Sequence, residues 1–322
     1  METVLQFLLL SAGFMMLIKG ADFFVDGSSE IASRFGIPQL VVGLTIVAMG
    51  TSAPEAAVSI SAALKGNAGI TIGNVAGSNI LNILIILGLT AFLTKKTVPV
   101  AASTVKYEMP FMIVTMLVLL WMGYAGNEIT RLEGAGLWVV FLLYLFYLLK
   151  MAKKGAGRNS EEDEGEVSER GANKKEKSMA MLVLFTSAGL ALIVAGSSVT
   201  VDAATAIARI IGLSERFIGL TIVALGTSLP ELFTSVSAAR KGSADIAIGN
   251  IVGSNIFNIL FVAGTSALIT PIVFESKFTV DFLVAAAAGV LLWIFSFSGK
   301  SLNRAEGGVL LLGYLGYFIY LL

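Results

Sequence analysis

Ten stretches of mostly apolar residues follow one another along this chain, and they restrict its fold more than any other feature. They lie near residues 4–26, 37–63, 70–93, 109–125, 132–150, 179–201, 214–239, 245–269, 279–298 and 305–322. A bilayer core about 30 Å thick is spanned by about 20 apolar helical residues, so each stretch has the length of a transmembrane helix. Charged residues make up only 14% of the chain, against about 25% in soluble domains. The sequence therefore predicts an all-α polytopic membrane protein with ten transmembrane helices.

Missing residue types exclude several kinds of chemistry. The chain has no Cys and no His, which excludes disulfides, thiolate ligands, imidazole bases and His-bound metals. The first apolar stretch has no basic segment before it and no small-residue cleavage site, so we expect a retained helix instead of a signal peptide. Nothing in the sequence indicates a cofactor, a nucleic acid or an obligate protein partner. The predicted surroundings are the lipid bilayer.

The chain contains two copies of one unit. A shift of 176 residues places 41–94 on 217–270 without a gap, and 32 of these 54 positions are identical. Near the end of each copy, RLEG at 131–134 resembles RAEG at 304–307. A polar, charged segment between the copies is typical of a disordered linker. The predicted domains are a first five-helix repeat, a linker and a second five-helix repeat, at 1–150, 151–178 and 179–322.

The odd number of helices in each repeat determines the topology. After five helices the second repeat enters the membrane from the opposite side, which gives an inverted-topology pair. If both termini lie on one side, most Lys and Arg residues between helices fall on the other side. The positive-inside rule then places the linker in the cytoplasm and both termini outside, in a prokaryotic inner or plasma membrane. Asp22, Asp26 and Asp202 fall at the ends of predicted helices, where we expect them at the membrane interface.

Nearly the same motif interrupts two of the apolar stretches, GTSAPE at 50–55 and GTSLPE at 226–231. Proline lacks an N–H and crowds the preceding turn, and glycine weakens the helix further. Each motif therefore predicts a broken helix, with freed carbonyl groups near Ala48 and Ala224. Broken helices are tolerated at membrane depth only where they face protein or a watery cavity, and transporters use them to bind cations.

Polar side chains accompany each break, on the broken helix and on the next one. The third helix of each repeat carries GNVAGSNILN at 73–82 or GNIVGSNIFN at 249–258, in which the G-x-x-x-G spacing allows close helix packing. Residues four apart share a helix face, so each half presents a carboxylate, hydroxyls and an amide. The two sets are Thr51, Ser52, Glu55, Ser78 and Asn82, and Thr227, Ser228, Glu231, Ser254 and Asn258.

These groups are all oxygen ligands or amides, which suits hard cations. Two carboxylates balance the charge of one Ca²⁺, and a flexible oxygen shell also suits Na⁺. An unpaired charge at the bilayer centre costs at least about 2.5–3.5 kcal/mol, and no Lys or Arg lies within one helical turn of either motif. Small polar residues can serve packing alone, and a membrane Glu can be neutral and hydrogen-bonded. The duplication of the whole polar context favours a cation site.

At these residues the chain resembles the sodium/calcium exchanger family, within the wider cation/calcium antiporter superfamily. GTSAPE with GNVAGSNILN is similar to the family's first α-repeat, and GTSLPE with GNIVGSNIFN to its second. The resemblance covers the chain outside the linker. It implies ten helices, inverted repeats and central sites that open alternately to each side. The linker is too short for the cytosolic Ca²⁺-sensing domains of animal exchangers, so the resemblance is to the prokaryotic type.

The resemblance also implies a role for each motif residue. Glu55 and Glu231 would be the principal Ca²⁺ ligands, and Thr51 and Thr227 would assist through their backbone carbonyls. The other implied positions complete the centre or shape flanking Na⁺ sites. The residues of the centre are Asn82 and Asn258, and those of the flanks are Ala48, Ser52, Ser78, Ala224, Ser228 and Ser254.

The leading functional prediction is a secondary antiporter that extrudes Ca²⁺ in exchange for Na⁺ and moves net charge. A Ca²⁺/H⁺ or K⁺-dependent antiporter stays open, because some family members carry Asp where this chain has Asn258. A passive cation channel could also use broken helices, although channels more often build filters from rings of subunits. An intramembrane hydrolase would need a base beside its serine, and no His or Lys is placed there. No enzyme activity is predicted.

Overall fold

The computed structural model of the chain describes residues 2–94, 97–162, 178–212 and 224–321, and these are almost entirely helical. The first half contains α1 (Glu2–Arg34), α2 (Gln39–Val42), α3 (Ala48–Thr51), α4 (Ala53–Leu64), α5 (Gly69–Leu81), α6 (Gly88–Leu93), α7 (Met109–Gly126) and α8 (Arg131–Glu162). The second half contains α9 (Met179–Ile210), α10 (Ala224–Thr227), α11 (Leu229–Arg240), α12 (Ala244–Phe257), α13 (Gly264–Ile269), α14 (Phe278–Gly299) and α15 (Arg304–Leu321). π-Helical turns occur at Gly43–Val47, Asn82–Leu87, Thr104–Glu108 and Asn258–Ala263.

Within these described ranges, seven helices are long and apolar enough to cross a membrane, or eight if one bent pair is a single span. The bent pair is Gln39–Thr51 with Ala53–Leu64, which meet at 50°. The predicted helix at 214–239 lies partly in 213–223, outside the described residues. The predicted last helix is present as α15, with 18 residues, but is not among the seven. The nearly all-α membrane fold is confirmed, and the total of ten spans stays a prediction.

The two helices that carry the glycine–asparagine motifs lie at the centre of the bundle. In the most apolar window of Ala244–Ile269, 94% of the residues are buried, and in that of Gly69–Leu93, 78% are buried. The corresponding fraction for both α1 and α9 is 22%. A helix surrounded by protein can carry polar residues that lipid would not solvate. The motifs of both halves therefore lie where polar groups can find partners.

Glycine allows backbone contact between the central helix α12 and the segment before the first break. A Cβ at Gly253 would lie 2.8 Å from Leu44 Cα, and a Cβ at Gly249 would lie 3.0 Å from the Leu40 carbonyl oxygen. The close approach predicted from the G-x-x-x-G spacing is confirmed for this half. The equivalent partner segment in the other half, 216–220, lies outside the part of the chain that the structure describes.

The first helices of the two repeats, α1 and α9, also pack through glycines. A Cβ at Gly189 would lie 2.5 Å from the Phe24 backbone nitrogen, and a Cβ at Gly20 would lie 2.8 Å from the Gly189 carbonyl oxygen. Both contacts involve backbone atoms, which cannot rotate away as a side chain can. Any larger residue at these positions must move the two helices apart.

The three aspartates lie inside α1 and α9, so their predicted placement at helix ends is wrong, and their position at the membrane interface stays a prediction. The Lys241 ammonium group at the end of α11 pairs with Asp22 at 3.2 Å and with Asp26 at 2.8 Å. The shift of 176 residues relates Asp26 to Asp202 and Lys241 to Lys65. Lys65 and Asp202 are both described and form no ion pair with each other. The ion pair therefore exists on one side of the repeated structure and not on the other.

Four short strands, which the sequence did not predict, connect the two halves. β1 (Val98–Pro99) pairs antiparallel with β4 (Ser301–Leu302), and β2 (Glu128–Ile129) pairs antiparallel with β3 (Ile272–Val273). Each pair joins the loop after the third predicted helix of one repeat to the loop between the fourth and fifth predicted helices of the other. The paired loops must therefore lie at the same level of the membrane.

The boundary between the first repeat and the linker differs from the prediction. α8 continues to Glu162, so residues 151–162 of the predicted linker are helical. Residues 163–177 lie outside the described residues, and the linker prediction now concerns only these. α9 begins at Met179, as predicted, and the Ser178 hydroxyl caps it by accepting a hydrogen bond from the Met181 amide at 3.2 Å.

Candidate ion-binding site

A break at the end of α3 positions the first acidic motif. Ser52 has φ −84° and ψ 8°, and α4 follows with Pro54 in its first turn. Proline is tolerated there because the N–H it lacks would have no helical partner in the first turn. The second motif repeats this arrangement, with Ser228 at φ −91° and ψ 3° and Pro230 in the first turn of α11. The predicted helix breaks are confirmed at both motifs.

The carbonyl group of Ala48 is not freed by the first break, so that part of the prediction is wrong. It accepts a regular helical hydrogen bond from the Ser52 amide at 3.0 Å. The Thr51 and Ser254 hydroxyls also approach it at 3.4 Å. The residue four positions after Ala48 is Ser52, which has a backbone N–H that proline would lack. The helical hydrogen bond to the Ala48 carbonyl is therefore kept.

The carbonyl that loses its helical partner is that of Gly50, because the residue four positions on is Pro54. In the second half the equivalent carbonyl, that of Gly226, accepts a hydrogen bond from the Ser197 hydroxyl at 2.6 Å. Ala224 is described only by its backbone, at the start of α10. Each break therefore removes the helical partner of a carbonyl two residues after the predicted one, and in the second half a serine hydroxyl replaces that partner.

Glu55 and Glu231 are brought together at the centre, and each is bound by the other half of the protein. Only 2% and 1% of these residues are exposed. Each lies in the first turn of its helix, where the helix dipole favours negative charge. The Ser52 hydroxyl donates to Glu231 Oε1 at 2.7 Å, and the Ser228 hydroxyl approaches Glu55 Oε1 at 3.4 Å. The two predicted half-sites therefore form one centre.

The motif threonines lie at the same centre. Thr51 is fully buried, and the single hydrogen of its hydroxyl can be donated to the Val47 carbonyl oxygen at 3.0 Å or to Asn250 Oδ1 at 3.1 Å. The Thr227 side chain is within hydrogen-bonding reach of Glu55. The threonine side chains thus connect the broken helices to the acidic residues. The predicted use of their backbone carbonyls as ligands stays a prediction.

Two asparagines that the sequence analysis missed hold the broken helices in place. Each is the Asn of the GN pair that opens a quoted motif, and each donates to the backbone carbonyl of the glutamate and to a serine one turn later. The bonds run from Asn74 Nδ2 to the Glu55 carbonyl (3.1 Å) and Ser59 Oγ (2.9 Å), and from Asn250 Nδ2 to the Glu231 carbonyl (3.4 Å) and Ser235 Oγ (2.9 Å). The repetition of GN in both halves was the available signal.

Asn82 and Asn258, which the sequence analysis predicted for the centre, each bond to an asparagine of the opposite half. These two further asparagines are Asn255 and Asn79. Asn82 Nδ2 donates to Asn255 Oδ1 at 2.9 Å, and Asn258 Nδ2 donates to Asn79 Oδ1 at 3.5 Å. Asn79 and Asn255 also donate to each other's backbone carbonyl at 3.5 Å. The predicted Ser78 is buried one turn before Asn82. The four amides form a nearly symmetric bridge between the halves.

Four buried oxygens at this centre have no hydrogen-bond partner among the described residues. They are Glu55 Oε2, Glu231 Oε2, Asn82 Oδ1 and Asn258 Oδ1. A buried acceptor without a partner costs about 1–3 kcal/mol, and more when it is charged. The ion pairs between described side chains leave out both glutamates. Four free acceptors of this kind are suited to a hard cation.

The known proteins that this chain matches extend over both of its halves. A family model described as sodium/calcium exchanger protein matches residues 5–150 and 181–322. The chain belongs to the sodium/calcium exchanger family. It is 42% identical over 314 residues to the putative antiporter CaxA of Alkalimonas amylolytica, and this alignment covers 95% of each of the two chains. It is 36% identical over 351 residues to the sodium/calcium exchanger MaX1 of Methanosarcina acetivorans, and this alignment covers 98% of each of the two chains.

A solved structure of the family agrees with the whole fold. The sodium-calcium exchanger NCX_Mj, soaked with 10 mM Na⁺, superposes with a TM-score of 0.82 at 29% sequence identity, over 98% of this chain and 99% of that one. The family assignment made from the two motifs is therefore confirmed. This sodium/calcium exchanger family member is an integral membrane antiporter of cations and not an enzyme.

Proposed function

We propose that the protein exchanges Ca²⁺ for Na⁺ across the membrane through the central site. The observation that best supports this proposal is the pair of buried carboxylates. Glu55 and Glu231 come from different halves, each keeps a free oxygen, and together they balance one Ca²⁺ or two Na⁺ when ionised. Ca²⁺ binds roughly six to eight oxygens, and the free amide oxygens of Asn82 and Asn258 add two neutral ligands.

Na⁺ would use the same carboxylates together with the hydroxyls and carbonyls on both flanks. Because Ca²⁺ and Na⁺ would share Glu55 and Glu231, binding of one would displace the other, which is the basis of exchange. The hydroxyls reach across the halves, so a bound ion would also affect how the halves sit together. The proposed flanking ligands are Ala48, Thr51, Ser52 and Ser78, with Ala224, Thr227, Ser228 and Ser254.

The proposed architecture is two inverted five-helix repeats, 1–150 and 179–322, joined by the segment 151–178, of which residues 151–162 continue α8. In an inverted pair, the loop after the third helix of one repeat lies on the same side as the loop between the fourth and fifth helices of the other. The two strand pairs join these loops, which supports inversion over a parallel arrangement. The distribution of Lys and Arg supports a cytoplasmic linker and outward-facing termini in a prokaryotic inner or plasma membrane.

The driving ion is tested with purified protein in vesicles loaded with Na⁺ and diluted into medium that contains radioactive Ca²⁺. We expect uptake that requires the Na⁺ gradient and stops when an ionophore collapses it. Uptake driven equally well by a pH gradient without Na⁺ would instead identify a proton antiporter. Dependence on added K⁺ would identify the potassium-dependent type. Ca²⁺ flux down its own gradient with no counter-ion would indicate a channel.

We expect the exchange to be electrogenic. Two Na⁺ already balance the carboxylate pair, and an additional Na⁺ on a flanking site would carry net positive charge in the direction of Na⁺ movement. Each elementary charge that crosses 100 mV contributes about 2.3 kcal/mol, which would help to expel Ca²⁺ from an energised cell. The measurement is Na⁺-driven Ca²⁺ uptake at several potentials set by K⁺ and valinomycin. Identical rates at all potentials would contradict the extra Na⁺ site.

The two motif serines are expected to contribute unequally to Ca²⁺ affinity. The Ser52 hydroxyl lies 2.7 Å from its carboxylate oxygen, whereas the Ser228 hydroxyl lies 3.4 Å from its own. Ser52→Ala should weaken the apparent Ca²⁺ affinity by about tenfold or more, the effect of one hydrogen bond to a charged group. Ser228→Ala should weaken it less. Concentration-dependent Ca²⁺ uptake by the two matched variants measures the order, and the reverse order would contradict it.

A further inference from the structure

A second buried carboxylate lies away from the central site. Glu108 ends the π-helical turn Thr104–Glu108 at the start of α7, and only 1% of it is exposed. Its Oε1 accepts a hydrogen bond from the Tyr147 hydroxyl of α8 at 2.5 Å. Its Oε2 is buried and has no partner among the described residues. Exchange through the central site does not use this residue.

Glu108 lines a crevice of about 430 Å³ between α7 and α8. The Tyr144 hydroxyl at this crevice is also buried without a hydrogen-bond partner in the described part of the chain. The Tyr144 ring stacks on Phe111, with centroids 5.3 Å apart, and Leu143 continues the apolar wall. One end of the crevice is therefore polar and acidic, and the remainder is apolar and aromatic.

The crevice lies near the membrane surface and opens towards the lipid. Glu108 is in the first turns of the span Thr104–Gly126, and Tyr147 is in the last turns of the span Arg131–Lys153. These two ends lie on the same face of the membrane because α7 and α8 are consecutive antiparallel spans. Leu143, at the mouth, is 63% exposed on the surface that contacts the bilayer. A ligand with its head at this depth has its apolar part beside the outer wall of α8.

The chemistry of the crevice favours an ammonium group over a metal ion. A hard metal cation needs roughly six or more oxygen ligands, and this crevice offers few oxygens and mostly apolar walls. Among the residues that the structure describes, no ion pair compensates Glu108, and the nearby Lys106 ammonium group lies over the Tyr107 ring, 5.2 Å from its centroid. An ammonium group donates N–H bonds to a carboxylate and is attracted to aromatic faces.

We propose that this crevice binds a membrane phospholipid with a primary ammonium headgroup. The ammonium group donates to the free oxygen of Glu108 next to the Tyr144 and Tyr147 rings. The phosphate lies within the field of Lys106 at the membrane surface, and an acyl chain follows the apolar wall past Leu143. A choline headgroup has no N–H donors, so it cannot satisfy the free carboxylate oxygen in the same way.

The second repeat supplies a matched control. The shift that aligns RLEG with RAEG places Asp281 on Glu108 and Tyr317 on Tyr144. Asp281 Oδ1 accepts a hydrogen bond from the Tyr317 hydroxyl at 2.8 Å, so the second repeat also has an acid–tyrosine contact, but with the tyrosine equivalent to Tyr144 and not with the one equivalent to Tyr147. Asp281 is only partly buried, and neither of its oxygens is among the buried oxygens without a partner. Asp281→Asn therefore makes the same chemical change without touching the proposed site.

The test is native mass spectrometry of detergent-purified protein mixed with phosphatidylethanolamine or phosphatidylcholine of identical acyl chains. We expect the wild-type protein and Asp281→Asn to retain one phosphatidylethanolamine with about tenfold preference, the effect of one hydrogen bond to a charged group. Glu108→Gln should lose this preference, although its amide oxygen can still accept from Tyr147. Leu143→Trp, which fills the apolar wall and keeps the carboxylate, should also lose it.

Three results would overturn the proposal. The wild-type protein could retain both lipids equally or retain neither, Glu108→Gln could keep the preference, or Asp281→Asn could lose it as completely as Glu108→Gln. Thermal unfolding of each variant in the same detergent separates a lost lipid site from a lost fold. Leu143 lies on the exposed surface, so we expect Leu143→Trp to fold. It therefore tests the lipid site independently if Glu108→Gln unfolds.

Discussion

Replacing either Glu55 or Glu231 by Gln is expected to abolish Ca²⁺ transport while the protein still folds. Gln keeps an oxygen that can accept the hydrogen bond from the opposite serine, at 2.7 Å for Glu231 and 3.4 Å for Glu55. It removes half of the negative charge and places N–H donors where a cation would bind. Removing one partner of a buried charge pair costs about 3–5 kcal/mol, which corresponds to a loss of Ca²⁺ affinity of roughly 10²–10⁴-fold.

The measurement is Na⁺-driven Ca²⁺ uptake in vesicles that contain equal amounts of each purified variant. Glu30→Gln is a suitable control, because Glu30 pairs with Arg34 near the end of α1 and lies outside the central site. It should transport Ca²⁺ like the wild-type protein. Normal uptake by a folded Glu55→Gln or Glu231→Gln variant would exclude these carboxylates as the Ca²⁺ ligands.

Replacing Gly189 by Val is expected to cause the largest loss of stability. The new Cβ would lie 2.5 Å from the Phe24 backbone nitrogen and 2.8 Å from the Gly20 carbonyl oxygen, so α1 and α9 must separate. Overpacking of this kind costs about 1–3 kcal/mol, and here the obstacle is backbone, which places the cost at the upper end. The unfolding temperature in detergent should fall by roughly several degrees, with a fall in transport.

Gly136→Val supplies the control for this change. Gly136 lies within α8, and a Cβ there would meet no described atom within 4 Å. Its unfolding temperature should stay close to that of the wild-type protein, because only the small difference in helix propensity remains. Equal unfolding temperatures for the Gly189 and Gly136 variants would show that α1 and α9 can separate at no cost.

The sequence predicted the broken helices and their acidic residues because the signals are local. Pro54 and Pro230 interrupt a helix wherever it packs, and a glutamate in an apolar stretch is rare unless it has a function. Duplication of the motif then indicated that the two halves share one site. The prediction at Ala48 was wrong although the signal there is local too: proline removes the helical partner of the residue four positions before it, which is Gly50, while Ala48 keeps the Ser52 amide.

The contacts between the halves could not be read from the sequence. The Ser52–Glu231 bond joins residues 179 positions apart, and only the packing of the two repeats brings them together. The roles of Asn74 and Asn250 depend on a neighbouring helix, so a glycine–asparagine motif alone indicated packing and not support of the glutamates. The aspartates of α1 were placed at a helix end because the apolar stretch ends near residue 26, whereas the helix continues to Arg34.

The ion pairs of Lys241 would make two mirrored conformations of the carrier unequal in free energy. If exchange converts each half into the conformation of the other, the mirrored state would pair Lys65 with Asp202. It would lack the second contact, because Ser198 stands where the first half has Asp22. A partly exposed ion pair contributes about 0–1 kcal/mol, enough to bias a two-state population by up to roughly fivefold. The conformation with both Lys241 contacts would therefore be the more populated one in the empty carrier.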